Sequence, residues 1–166
     1  MIIAGGIAIM PSCSTEPGKA SIDLKKINIT ANEEALLAEI AETIIPENDK
    51  PGAKNLNLHL FTLKMVDDCH NDEDQKAFIA GLNSINKLAK SKYGNAFAKC
   101  DSRQRIDLLN AASSGDGDAK DAAAFLKIAK RRVIQGFMNS KYVMTDLKKY
   151  ELVPGRYNGY FPVKQA

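Results

Sequence analysis

Through the body of the chain, apolar residues recur every three or four positions, and polar and apolar residues never alternate over any length, so the pattern is helical throughout. Leu36, Leu37, Ile40, Ala41, Ile44 and Ile45 form one such stripe. It is opened by Thr30 and Glu33 at capping-box spacing and stopped by Pro46. A second helix is predicted over 53–68. Its Leu56, Leu58, Leu60, Phe61, Leu63, Met65 and Val66 do not keep to one side, the mark of a helix covered on several faces: either the central helix or one that meets a partner. Asn71 and Asp74 can cap a third helix running to about Lys92. Phe78, Ile79, Leu82, Ile85, Leu88 and Ala89 give its core face, and Tyr93-Gly94 closes it. A fourth, shorter helix follows Asp101 or Ser102, with Ile106, Leu108 and Leu109 inside. Ser113 to Asp118 (SSGDGD) reads as a flexible loop. A fifth helix spans 119–139 with Ala122, Phe125, Ala129, Val133 and Phe137 in register. The expected fold is all-α: a bundle of about five helices with an irregular, aromatic-rich C-terminal tail.

Both ends depart from this pattern, which divides the chain into 1–19, a helical body over 20–140, and a tail over 141–166. Met1 to Met10 (MIIAGGIAIM) is uncharged and apolar and is followed by Pro11, Ser12 and Cys13. That is the shape of a secretory signal closed before a lipidated cysteine, although the usual positive charges ahead of it are missing. The other reading is an apolar strand or helix packed in the core. Ser14 to Lys19 then serves as a tether. At the other end, Tyr142, Tyr150, Tyr157, Tyr160 and Phe161 sit among Pro154-Gly155, Gly159 and Pro162. Aromatic clusters without a helix to hold them must pack on their own domain or on another protein.

Composition narrows the function classes. The chain has 166 residues and a formal net charge of +3, too weak a charge for a nucleic-acid partner. No apolar run reaches the length of a membrane span. An active site is hard to find. His59 lies mid-helix among leucines and reads as a packed, hydrogen-bonded residue. His70 follows Cys69 directly, and adjacent residues seldom align a thiol and an imidazole for proton transfer. Asp67, Asp68, Asp72, Glu73 and Asp74 lack the alternation and central glycine of a calcium loop; Asp116, Asp118 and Asp121 come closer but have no Glu at the closing position, and both groups read as solvated. Gly5-Gly6 has no strand-turn-helix context for a dinucleotide. Lys127, Lys130, Arg131 and Arg132 read as a solvated face, or at most a patch for an acidic partner. With Cys13 as the lipid site, Cys69 and Cys100 remain as an even pair. An antiparallel bundle in an oxidising compartment could bridge them, closing a loop of about 30 residues for roughly 3–4 kcal/mol; otherwise they are two buried free thiols.

Two stretches carry a resemblance. Leu36 to Cys69 (LLAEIAETIIPENDKPGAKNLNLHLFTLKMVDDC) resembles the opening of the gluconate 2-dehydrogenase subunit 3 family: a helix ending in Ile-Pro, a polar loop, Pro-Gly-Ala, then a helix with His and Phe. Tyr150 to Gly159 (YELVPGRYNG) resembles that family's closing motif, and Phe78 to Leu82 (FIAGL) fits between them. The resemblance implies a small, non-catalytic subunit of a membrane-associated dehydrogenase of the glucose-methanol-choline type, oxidising a sugar or alcohol. FAD and the hydride chemistry would belong to the partner subunit, and this chain would hold no cofactor, metal or catalytic residue. Electrons would pass on to a cytochrome or another acceptor. The small subunit would support maturation, export and stability of the large one, usually with a twin-arginine signal; no arginine pair precedes Cys13 here. The expected location is the periplasm or envelope, with a lipid anchor at Cys13. The expected partner contact is Val153, Pro154, Gly155, Tyr157, Asn158, Gly159 and Tyr160, where Pro154-Gly155 sets a turn and the tyrosines supply stiff contact area. The competing reading is a stand-alone helical envelope lipoprotein that binds or scaffolds.

Overall fold

A computed structural model of the chain describes residues 18–148, 155 and 158–160. Five helices make up the body: α1 (Ala31–Ile44), α2 (Leu58–Cys69), α3 (Asp72–Tyr93), α4 (Ser102–Ser114) and α5 (Lys120–Met138). Among the described residues there is no β-sheet, only an isolated antiparallel bridge between Lys19 and Thr30. That bridge places Lys19, assigned to the tether from sequence, against the start of the first helix. Residues 1–17, with Cys13, lie outside the described residues.

The helix starts follow local chemistry. Thr30 and Glu33 form the expected capping box on α1, and Asp101 and Gln104 form another on α4. The Asn71 side chain accepts from the Asp74 backbone N–H at the start of α3, and Gly94 closes that helix in the left-handed conformation at φ 69°. The second helix begins later than its apolar residues suggested. Residues 53–57 form a turn instead, with Ala53 N–H donating to Ile45 O at 2.9 Å. Asn57 ends the turn in the left-handed region at φ 51°, which interrupts any helix passing through it. The 113–118 segment is also more ordered than expected. Ser113 and Ser114 belong to α4, Gly115 turns the chain at φ 73°, and a 3₁₀ turn (Gly117–Ala119) leads into α5.

The central helix is α5, which packs against α1, α2, α3 and α4, whereas α2 buries one face. Leu58, Thr62, Leu63, Val66 and Asp67 fall on that face at helical spacing. Phe78 on α3 meets Phe125 on α5 with ring centroids 4.9 Å apart and tilted 57°. Around them Leu37, Ile40, Leu63, Leu82, Ile85 and Phe97 are fully buried, each contributing about 1.5–3 kcal/mol of apolar transfer energy. Ile106 corrects the sequence reading of α4: it is 49% exposed, while Leu108 and Leu109 are inside as expected.

Two charged side chains fasten the periphery. The Arg105 guanidinium on α4 donates to Glu39 Oε2 at 2.7 Å and to the Cys100 and Ala98 carbonyls, and its head lies over the Phe97 ring. Burial pushes the Glu39 carboxyl up, but Lys54 and Arg105 outweigh it and hold it below the ordinary range. Asp67 on α2 is the stronger anchor. It is fully buried and accepts the backbone N–H groups of Lys25, Lys26 and Ile27 at 2.7–2.9 Å. This pins the segment before α1 against α2 and seats Ile27 and Ile29 in the core.

Candidate functional site: the α2–α3 corner and the C-terminal segment

Four of the polar residues singled out from sequence, Asp67, His70, Asp74 and Arg132, are hydrogen-bonded at or beside the corner between α2 and α3. Gln75, 5% exposed, donates its amide to the carbonyls of Val66, Asp67 and His70 at 3.0–3.1 Å, capping the end of α2. His70 Nδ1 lies 3.0 Å from Asp74 Oδ2. On the other side of the ring, Arg132 of α5 donates from Nε to His70 Nε2 at 3.0 Å and from Nη1 to Gln135 Oε1 at 2.8 Å. Arg132 is thereby half-buried and paired, not part of a solvated basic face.

That geometry fixes what His70 can do. A guanidinium only donates, so Nε2 must accept and Nδ1 must carry the proton toward Asp74. No lone pair on the ring remains to draw a proton from a thiol. The Cys69–His70 pair therefore lacks the free base that nucleophilic catalysis requires. His59 is no better placed. Burial pushes its pKa down, with Glu34 opposing and Lys54 adding to the effect. Its Nδ1 is buried without a hydrogen-bond partner, which corrects the expectation of a hydrogen-bonded histidine.

The cysteines are not bridged. Cys69 is exposed at the end of α2, whereas Cys100 is 5% exposed within the core, its Sγ 3.6 Å from Ala96 O. One thiol faces water and the other faces the core, so the expected Cys69–Cys100 disulfide is not formed. Of the acidic cluster, Asp67 is buried, in contrast to its solvated reading. Backbone N–H groups of Lys25, Ile27 and Lys26, with Lys64 nearby, outweigh the upward push of burial and hold its carboxyl below 3.8.

The C-terminal segment begins differently from the expected irregular tail. Tyr142–Leu147 is a π-helical segment that buries Val143 beneath it. Of the expected contact residues, Val153, Pro154 and Tyr157 lie outside the described residues, while Gly155, Asn158, Gly159 and Tyr160 are described. Gly155 and Asn158 are exposed. Asn158 Oδ1 accepts the Tyr160 backbone N–H at 3.0 Å, a side-chain turn around Gly159. Tyr160 is 97% exposed. The large apolar side chains exposed among the described residues, Ile106, Ile134, Met138, Leu147 and Tyr160, all come after α3; sequence periodicity did not flag the first four.

A polar corner whose histidine is already engaged, and large exposed apolar side chains that among the described residues all follow α3, suit a subunit that works by contact. Residues 31–155 match the family model described as Gluconate 2-dehydrogenase subunit 3. The chain belongs to that family. No curated protein and no solved structure matches it. A subunit 3 of this kind is a non-catalytic accessory subunit, and its partner is a catalytic, FAD-dependent subunit. The match runs from the first residue of α1 to residue 155, covering the first stretch that carried the resemblance and the opening part of the second. Membership decides against a stand-alone lipoprotein.

Proposed function

We propose that this subunit 3 matures, stabilises and accompanies to the envelope a glucose-methanol-choline-type sugar or alcohol dehydrogenase, gripping it through the tail residues Val153, Pro154, Gly155, Tyr157, Asn158, Gly159 and Tyr160. The supporting observation is Tyr160: a tyrosine held by a local turn is 97% exposed and packs on no helix among the described residues. Tyrosine of that kind loses little entropy when it is covered and brings both apolar area and a hydroxyl to an interface. In this reading Cys13 carries lipid and holds the complex at the periplasmic face, and a cytochrome takes the electrons. No helix among the described residues is long and apolar enough to cross a membrane, so attachment would rest on the lipid.

Truncating the chain after Tyr150 tests the grip. Co-expressed with its catalytic subunit, the truncated chain should lower recovered complex and bound flavin by roughly tenfold or more, the effect of losing an aromatic anchor cluster. Unchanged yield and flavin content would rule the tail out as the contact.

A further inference from the structure

We infer that the outward face of α5 is a second docking surface for the catalytic subunit, and that it fits an apolar patch rimmed by carboxylates. This rests on the accessory-subunit reading and extends it from the tail into the folded body. Helical geometry places Lys127, Arg131, Ile134 and Met138 on one stripe, four, seven and eleven residues on from the first. The opposite side of the helix carries the buried Ala122, Phe125, Ala129, Val133 and Gly136, so the stripe faces away from the bundle. At its N-terminal half, Ala123, Ala124, Leu126, Lys127 and Lys130, with Ser113 of α4, line a shallow depression of about 450 Å³. At its C-terminal half, Ile134 is 50% and Met138 42% exposed.

Three observations select the occupant. Residues 122–138 contain four cationic side chains and no acidic one; the acidic residue of α5, Asp121, lies in its first turn, away from the apolar end of the stripe. Lys127 and Arg131 are exposed and form no ion pair among the described residues, while Lys130 is turned aside toward Ser113 Oγ at 3.1 Å. Free cations flanking exposed apolar side chains match an interface whose core is apolar and whose rim is charged. The stripe also leads directly into the π-helical segment with its exposed Leu147, and from there into the tail proposed to grip the same partner. The family supplies a partner that this chain must meet. A body contact continuous with the tail lets one partner cover both at a single cost of association.

The test co-expresses the full chain and its catalytic subunit with either Ile134→Asp plus Met138→Asp, or Lys127→Glu plus Arg131→Glu. Ala80→Asp, an exposed apolar site on α3 outside the set of large exposed apolar side chains, serves as the control. Recovered complex should fall roughly tenfold or more in the first pair, less in the second, and not in the control. The second pair should also remove the salt dependence of association. Melting of each isolated subunit checks folding; if the Asp pair unfolds it, the charge-reversal pair decides. Unchanged recovery in both pairs overturns the inference. So does unchanged recovery accompanied by loss of binding to vesicles of anionic phospholipid, which would assign the face to the membrane. Loss of complex on truncation after Tyr150 but in neither α5 pair leaves the tail reading standing and removes this one; loss in none of them removes both.

Discussion

Replacing Asp67 with Ala should lower the stability of the isolated subunit by about 3 kcal/mol at neutral pH, on the order of 10 °C in melting temperature. The side chain is fully buried and takes three backbone donors from the segment before α1. Hydrogen bonds to a charged group contribute about 1.5–3 kcal/mol each when intact, and not all are lost in full because Lys25 and Lys26 lie near water. The Ile27 N–H is buried and donates to Asp67, so Ile27 and Ile29 should loosen from the core when the carboxylate is removed. The pH dependence has a definite sign. The folded carboxyl titrates below its ordinary 3.8, so its contribution is full above that value and disappears as pH falls through the lower folded value. Wild type and Asp67→Ala should therefore differ most near neutrality and converge in acid. Urea melts at pH 7 and at pH 3 read both. A loss that does not shrink in acid would mean that the N–H contacts are not what Asp67 supplies.

Gly81→Ala should destabilise the subunit by about 2 kcal/mol, against the roughly 1 kcal/mol that alanine ordinarily gains over glycine in a helix. A Cβ at Gly81 would stand 2.2 Å from the Asp121 carbonyl oxygen and 2.3 Å from Phe125 Cβ. Neither neighbour can swing aside, since one is backbone and the other is rooted in it. To admit the methyl, α3 must move away from α5 and disturb the Phe78–Phe125 contact. Thermal melting of the variant checks this, and a variant as stable as wild type would contradict the close packing of α3 on α5.

Glycine at position 81 marks where sequence reading stops. In a one-dimensional pattern it is a weak residue in the middle of a long helix; its reason lies in the neighbour forty residues on. The capping boxes at Thr30 and Asp101 and the left-handed Gly94 were legible because their chemistry is confined to four residues. Asp67 and His70 were not, because their partners lie far along the chain: the segment at Lys25 to Ile27 in one case and Arg132 in the other. An acidic run reads as solvated until the backbone it holds is in view. The same limit misplaced Ile106, whose helical spacing suits the core equally well but whose side chain points out. At the tail the aromatic composition was visible, whereas the π-helical segment at its start, with Val143 buried, was not. The family was the most legible feature, because its motifs are short, ordered and set at both ends of the chain.

The central claim is that this chain is the accessory partner of a flavin dehydrogenase and holds no redox chemistry itself. It is tested most directly by recovering the native chain from its own cells and identifying what accompanies it. The account predicts a larger FAD-containing dehydrogenase chain in the same fraction, with the flavin retained by that chain and absent from this one once the two are separated. Recovery of this chain alone, or with flavin bound to it after separation, would contradict the account.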